Sequence, residues 1–246
     1  MNLSGKTALV AGGGRDIGRA CVMRLAEVGA NVAINYHASA AGAESAVKEI
    51  GADRAFALQG DMTVESEVKT LVEKTASTFG GIDIVIHVTG GLIERVPMRD
   101  MSLAHFNKVM DLNLTSNFLV VRESLAHMKN GGAIVNLASQ AGRDGGGPGA
   151  GIYAASKGAV MTMTRAMAKE FGPDIRVNAI CPGMINTDFH NTFTKDEVRK
   201  NVANATPLKR EGTSEDCANL AAYLASDEAA FVNGACIDIN GGLAFS

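Results

Sequence analysis

Seven short β-rich runs alternate with longer helical ones along this chain, and that alternation leaves few folds open. The expected strands are 7–10, 32–35, 55–58, 82–88, 133–137, 176–180 and 236–239. The expected helices lie near 17–28, 41–50, 65–78, 103–128, 153–171 and 215–226. The strand runs are almost continuously apolar, as strands covered on both faces are. Parallel strands joined by helices cross over right-handedly, so the pattern predicts an α/β fold with a doubly wound parallel sheet of about seven strands and helices on both faces. No low-complexity linker divides the chain: the glycine-rich piece 142–151 is a loop, and the five prolines fall near element ends. Residues 1–246 therefore read as a single domain.

Composition narrows the class of function. Apolar residues make up 46% and charged residues 20%, enough for a large core in an ordinary soluble protein. A net charge of −3 gives no attraction for nucleic acid. No apolar run approaches the ~18 residues that span a bilayer, and the N-terminus lacks a signal-peptide pattern, so no membrane partner and a cytoplasmic location are expected. The four cysteines, Cys21, Cys181, Cys217 and Cys236, stand far apart in apolar segments and read as reduced core residues, not metal ligands.

The first strand runs into Ala11-Gly12-Gly13-Gly14-Arg15-Asp16-Ile17-Gly18 and then a helix. A glycine-rich strand-to-helix turn offers backbone N–H groups and a helix N-terminus to a phosphate. Gly12, Gly14, Arg15, Ile17 and Gly18 are accordingly candidate cofactor-binding residues. Asp16 either repels a pyrophosphate or points away as the helix N-cap, a position that favours aspartate. About twenty residues on, where an acid usually takes the ribose 2′-hydroxyl of NAD, the second strand ends Asn35-Tyr36-His37-Ala38-Ser39 with no carboxylate. These polar groups, with Arg15, tolerate a 2′-phosphate better, so NADP(H) is expected over NAD(H). Asp61, followed by Met62, closes the third strand and reads either as an acceptor for the adenine amino group or as a cap for the next helix. His87 ends the fourth strand as a hydrogen-bonded structural residue, and Gly90 lets backbone approach a cofactor.

Chemistry concentrates later. Tyr153 and Lys157 open an apolar run four residues apart, so on a helix they share one face. Lowering a tyrosine pKa from ~10 by about 3 units takes about 4 kcal/mol. A cation ~4 Å away at an effective dielectric of ~20 supplies about that much. Ser139, at the tip of the fifth strand, lacks a nucleophile elbow and reads as a hydrogen-bond donor to a carbonyl oxygen. Asn113, inside an apolar helix, needs a partner there: a local distortion to cap, or a water to hold. Arg143, four residues past Ser139, reads either as a solvated loop arginine or as a partner for an anionic group on the substrate, with Gln140 beside it.

Taken together, the glycine-rich turn, Asp61, Asn113, Ser139, Tyr153-x-x-x-Lys157 and Cys181-Pro182-Gly183 resemble the short-chain dehydrogenase/reductase family over essentially the whole chain. The resemblance is closest to its 3-oxoacyl-(acyl-carrier-protein) reductase-like group, whose second strand also ends in Asn-Tyr. It implies a Rossmann-type domain that transfers a hydride between NADP(H) or NAD(H) and a carbonyl or secondary alcohol. It further implies Tyr153 as general acid/base, Lys157 lowering its pKa and binding the nicotinamide ribose, Ser139 holding the substrate oxygen and Asn113 positioning a water. Pro182, Gly183, Ile185 and Thr187 match the segment lining the nicotinamide and its phosphate, residues 186–205 match a substrate lid, and family members are commonly homotetramers. Ala11, Asp16 and His87-Val88-Thr89 depart from the family pattern. Two other readings are an NAD-dependent dehydrogenase of a sugar or polyol and a non-catalytic dinucleotide-binding sensor.

Overall fold

A computed structural model describes residues 1–245. Its seven strands are β1 (Thr7–Ala11), β2 (Asn31–Tyr36), β3 (Ala55–Gln59), β4 (Ile82–His87), β5 (Met128–Leu137), β6 (Ile175–Pro182) and β7 (Cys236–Ile239). All pair in parallel, in the order β3-β2-β1-β4-β5-β6-β7. The order reverses between β1 and β4, so the crossovers on either side leave a crevice at the carboxyl ends of those two strands.

Alternation along each strand splits the core into two layers. Ala8, Val10, Val32, Ile34, Ile84 and Ile86 face α1 (Asp16–Glu27), α2 (Ala40–Ile50) and α10 (Ser214–Ala225). Leu9, Ala33, Val85 and Ile134 face α3 (Glu65–Phe79), α5 (Ser116–Leu125) and α7 (Gly151–Phe171). Each fully covered Leu, Ile or Val contributes about 1.5–3 kcal/mol of transfer free energy, which makes the sheet a rigid platform.

The expected strands and long helices are present within a few residues, with one extension and one interruption. β5 begins at Met128, five residues early, and its pairing with β4 shifts register between Ile82 and Ile84. The apolar rule missed this start because Lys129, Asn130, Gly131 and Gly132 precede the apolar run. The expected helix 103–128 is divided into α4 (Leu103–Met110) and α5 by a π-helical turn at Asp111–Thr115. The segment 186–205, expected only as a variable lid, contains α8 (Asp188–Phe193) and α9 (Asp196–Ala205). A short α6 (Ala141–Asp144) also went unforeseen within the glycine-rich stretch. Among the described residues, no helix is long and apolar enough to cross a membrane.

Candidate active site

A continuous groove of about 1330 Å³ follows the carboxyl edge of the sheet from the glycine-rich turn to α8 and α9. Every sequence-predicted site residue lines it except Asn113 and Arg143. The floor at its adenosine-side end is the β1–α1 turn. Gly18 has no room for a side chain, because a Cβ there would collide with the Gly12 carbonyl, so the helix can start tight against the strand. Asn35, expected at the ribose, is buried and holds this turn instead: Oδ1 accepts the Gly12 N–H (3.2 Å) and Nδ2 donates to the Gly60 carbonyl (3.0 Å). Tyr36 and His37, at the β2 tip, line the groove without an acid among them.

Neither of the two carboxylates read as possible helix caps, Asp61 and Asp16, caps its own helix. Asp61 Oδ1 accepts from the backbone N–H and the hydroxyl of Thr63 (both 2.8 Å), which closes a turn before α3 and holds the carboxyl below its usual range. It makes no cap bond to α3, whose N-cap is Val64. Asp16 is not a cap of its own helix either. Its φ of +47° is the left-handed region that favours glycine and that aspartate tolerates. Its Oδ1 accepts the Asp188 N–H at the start of α8 (3.3 Å), and burial raises its pKa. Arg15 is engaged in the same place, with Nη1 3.3 Å from Asp188 Oδ2 and Nε 3.8 Å from Asp16 Oδ2.

Ser139, Tyr153 and Lys157 come together where the groove passes β4 and β5. Ser139 Oγ accepts the Ala141 N–H (3.1 Å), which sets its hydroxyl beside the Tyr153 phenol. Burial pushes the phenol pKa up, and the nearby serine hydroxyl offsets part of that. Lys157 is 2% exposed, and its Nζ donates to the Leu137 carbonyl oxygen at 2.7 Å. Lys157 Nζ stands 5.9 Å from the tyrosine ring centre, on the face expected of it, and its hydrogen bond goes to the backbone. Burial lowers the lysine's own pKa to about 8.

Asn113 sits in the π-turn, as a residue holding a local distortion. Its Nδ2 donates to Val109 and Gly91 carbonyls (2.9 and 2.8 Å), and its Oδ1 accepts the Gly91 N–H (3.0 Å). The carboxamide thereby fixes the Gly90-Gly91 backbone beside Lys157. His87 is the structural residue it was expected to be: fully enclosed, with Nε2 3.1 Å from Ser116 Oγ, and its pKa lowered to about 3 by burial and then by Lys157.

Arg143 is neither a solvated loop residue nor part of the groove lining. The α6 turn puts Gln140 and Asp144 on the groove side, joined at 3.1 Å, and turns Arg143 toward the sheet edge. There its Nε pairs with Asp238 and its Nη2 donates to the Cys236 carbonyl (both 2.6 Å). Sequence reasoning also missed an aromatic wall. Phe189 lies 5.7 Å from the Tyr153 ring centre to centre, with Phe193 5.2 Å and His190 5.0 Å from Phe189. Two phenylalanines four apart in a chain with only 5% aromatic residues were the available signal. Leu92, Ile93, Arg95 and Met184 complete that end.

The residues fit a dinucleotide. Thr89 Oγ1 and Gln140 Oε1 are buried without a hydrogen-bond partner among the described residues, and both residues line the groove. At Gly90 a Cβ would lie 2.7 Å from Asn113 Oδ1 and 2.9 Å from Lys157 Nζ, so only glycine leaves backbone accessible there. Arg15, Ile17, Tyr36, His37, Met62, Pro182, Gly183, Ile185 and Thr187 line the same path.

Known proteins agree with this geometry. The family described as "Enoyl-(Acyl carrier protein) reductase" matches residues 12–244. A "Short chain dehydrogenase" of Claviceps purpurea is 38% identical over 98% of this chain and 97% of its own. The "3-oxoacyl-[acyl-carrier-protein] reductase FabG" of Staphylococcus epidermidis is 37% identical over 97% and 98%. A short-chain dehydrogenase from Burkholderia cenocepacia, solved in complex with NADP, superposes with a TM-score of 0.92 at 32% identity over 99% of both chains. Sheet order, groove and full-length similarity together place this chain in the short-chain dehydrogenase/reductase family, among its FabG-like oxidoreductases.

Proposed function

We propose that the protein is an NADPH-dependent reductase of a ketone, keto acid or 3-oxoacyl carbonyl, with Tyr153 as proton donor. The observation that carries the reading is the convergence of Ser139, Tyr153 and Lys157 on one groove, with Lys157 Nζ 5.9 Å from the Tyr153 ring centre. A bound nicotinamide dinucleotide supplies the hydride to the carbonyl carbon. Ser139 holds the carbonyl oxygen and Tyr153 gives it a proton, so the product is the secondary alcohol. A phenol whose pKa is raised by burial is protonated at neutral pH, which suits it to donate. Lys157 holds the ribose hydroxyls and helps return a proton to the phenolate. Asn113 keeps the Gly90-Gly91 backbone in place. The β2 tip without an acid, and Arg15 and His37 beside it, support NADP(H); the Burkholderia relative solved with NADP points the same way.

The wider reading is one catalytic domain over residues 1–246 with 186–205 as a lid, acting in the cytoplasm as a homotetramer. Phe106 on α4 and Phe118 on α5, 37% and 43% exposed, support an assembly face there. The test is oxidation of NADPH and of NADH by the purified protein across ketones, keto acids, aldehydes and 3-oxoacyl thioesters. Turnover with NADPH at least tenfold faster than with NADH is expected. Turnover only of a polyol with NAD would replace this reading, and measurable dinucleotide binding without any turnover would make the protein a sensor.

A further inference from the structure

Helix α8 crosses the groove as a strap with one fastening at each end. At its start, Asp16 accepts the Asp188 N–H at 3.3 Å, with Arg15 Nη1 3.3 Å from the Asp188 carboxylate. At its close, Arg95 Nε donates to the Phe193 carbonyl, and Arg95 Nη1 donates to the Pro148 carbonyl (both 3.0 Å). Pro148 lies in the loop that leads into the helix carrying Tyr153. One guanidinium therefore ties the strap to the tyrosine's own approach segment, in the planar two-acceptor geometry that arginine provides and lysine does not. Between the fastenings, Phe189 lies against the Tyr153 ring at 5.7 Å and a tilt of 37°.

We infer that Arg95 and Asp16 are positioning residues that hold α8 closed from opposite ends and act through Phe189 on the environment of Tyr153. Two features of the chain are otherwise without purpose. Asp16 occupies a left-handed position where glycine is the unstrained choice, and its carboxylate spans to the opposite wall. Among the described residues Arg95 has no acidic partner, and it directs its charge to two backbone carbonyls. The strap lays the Phe189 ring against the Tyr153 ring, and burial is the largest influence on that phenol.

The kinetic consequence rests on the carbonyl-reductase reading, whereas the structural one does not. Amide hydrogen exchange over 186–205 in the cofactor-free enzyme is expected to accelerate about three- to tenfold in Arg95→Ala and in Asp16→Gly. Asp16→Asn keeps an acceptor oxygen and should exchange like the wild type. Unchanged exchange in both Arg95→Ala and Asp16→Gly overturns the proposal whatever the enzyme reduces. In the kinetic arm, Arg95→Ala should lower kcat/KM three- to tenfold in the wild type but less than about twofold in a Phe189→Ala background. Equal losses in both backgrounds would show that Arg95 does not act through Phe189. Faster exchange without turnover of any carbonyl by the wild type would leave the strap standing and remove the reductase reading.

Discussion

Lys157 gives its hydrogen bond to the Leu137 carbonyl oxygen, 2.7 Å away, and is 2% exposed in doing so. The protein thus holds an ammonium in a place that burial makes costly, with a pKa lowered from 10.5 to about 8. Between about pH 8 and 10.5 the unfolded chain keeps this proton and the folded one does not, so stability from this group rises with pH through that window. Below about 8 the cost is present in full, at roughly 3 kcal/mol. Lys157→Met should therefore stabilise the fold by about 1–2 kcal/mol at neutral pH, after the loss of the Leu137 hydrogen bond, and abolish turnover. Thermal melts at pH 7 and above pH 10 check this: the gain should shrink at the higher pH.

Arg143 makes a second case. Its pairing with Asp238 and the Cys236 carbonyl joins α6 to the edge strand β7 and keeps it out of the groove lining. Arg143→Ala should cost about 1–3 kcal/mol of stability, since it strands a half-buried carboxylate. The ratio of kcat/KM for charged over neutral carbonyls should stay within about twofold. A selective loss against keto acids would restore Arg143 to the substrate site.

Two histidines with lowered pKa values weaken the fold in acid. Burial lowers His87 to about 3 and His190 to about 4. As pH falls below about 6.5 the unfolded chain takes up protons that these side chains refuse, so the folded state loses up to roughly 1.4 kcal/mol per pH unit per histidine. His87→Asn keeps a polar partner for Ser116 and cannot be protonated. Urea midpoints measured between about pH 4 and 7 should fall less steeply for this variant than for the wild type.

Cofactor preference is read at the tip of β2. His37→Asp places there the carboxylate that a ribose 2′-hydroxyl accepts and a 2′-phosphate does not. Its kcat/KM for NADPH should drop about tenfold or more while that for NADH holds or rises. An unchanged ratio would mean that the 2′ position is recognised elsewhere.

Patterns with a period were legible before the structure. Alternating strands and amphipathic helices depend on residues near in sequence, and so does the i, i+4 pairing of Tyr153 with Lys157. The groove followed, because the strand order that reverses at β1 and β4 places the tips of all the expected strands on one edge. What escaped notice depends on rotation and reach. Arg143 lies one residue from Asp144 yet faces the opposite way on a single helical turn. Asp16 finds its partner 172 residues on, and no local rule announces that the two ends meet. The lysine's charge was correctly placed on the tyrosine's face, but its hydrogen bond to Leu137 belongs to a neighbouring strand.

The most direct measurement is NADPH oxidation with a responsive ketone by wild-type protein and by Tyr153→Phe, together with NADPH affinity by fluorescence titration. Removing one hydroxyl should lower kcat about 10²- to 10⁴-fold and leave the dissociation constant within about threefold. Retention of most of the activity by Tyr153→Phe would contradict the assignment of that phenol as the proton donor.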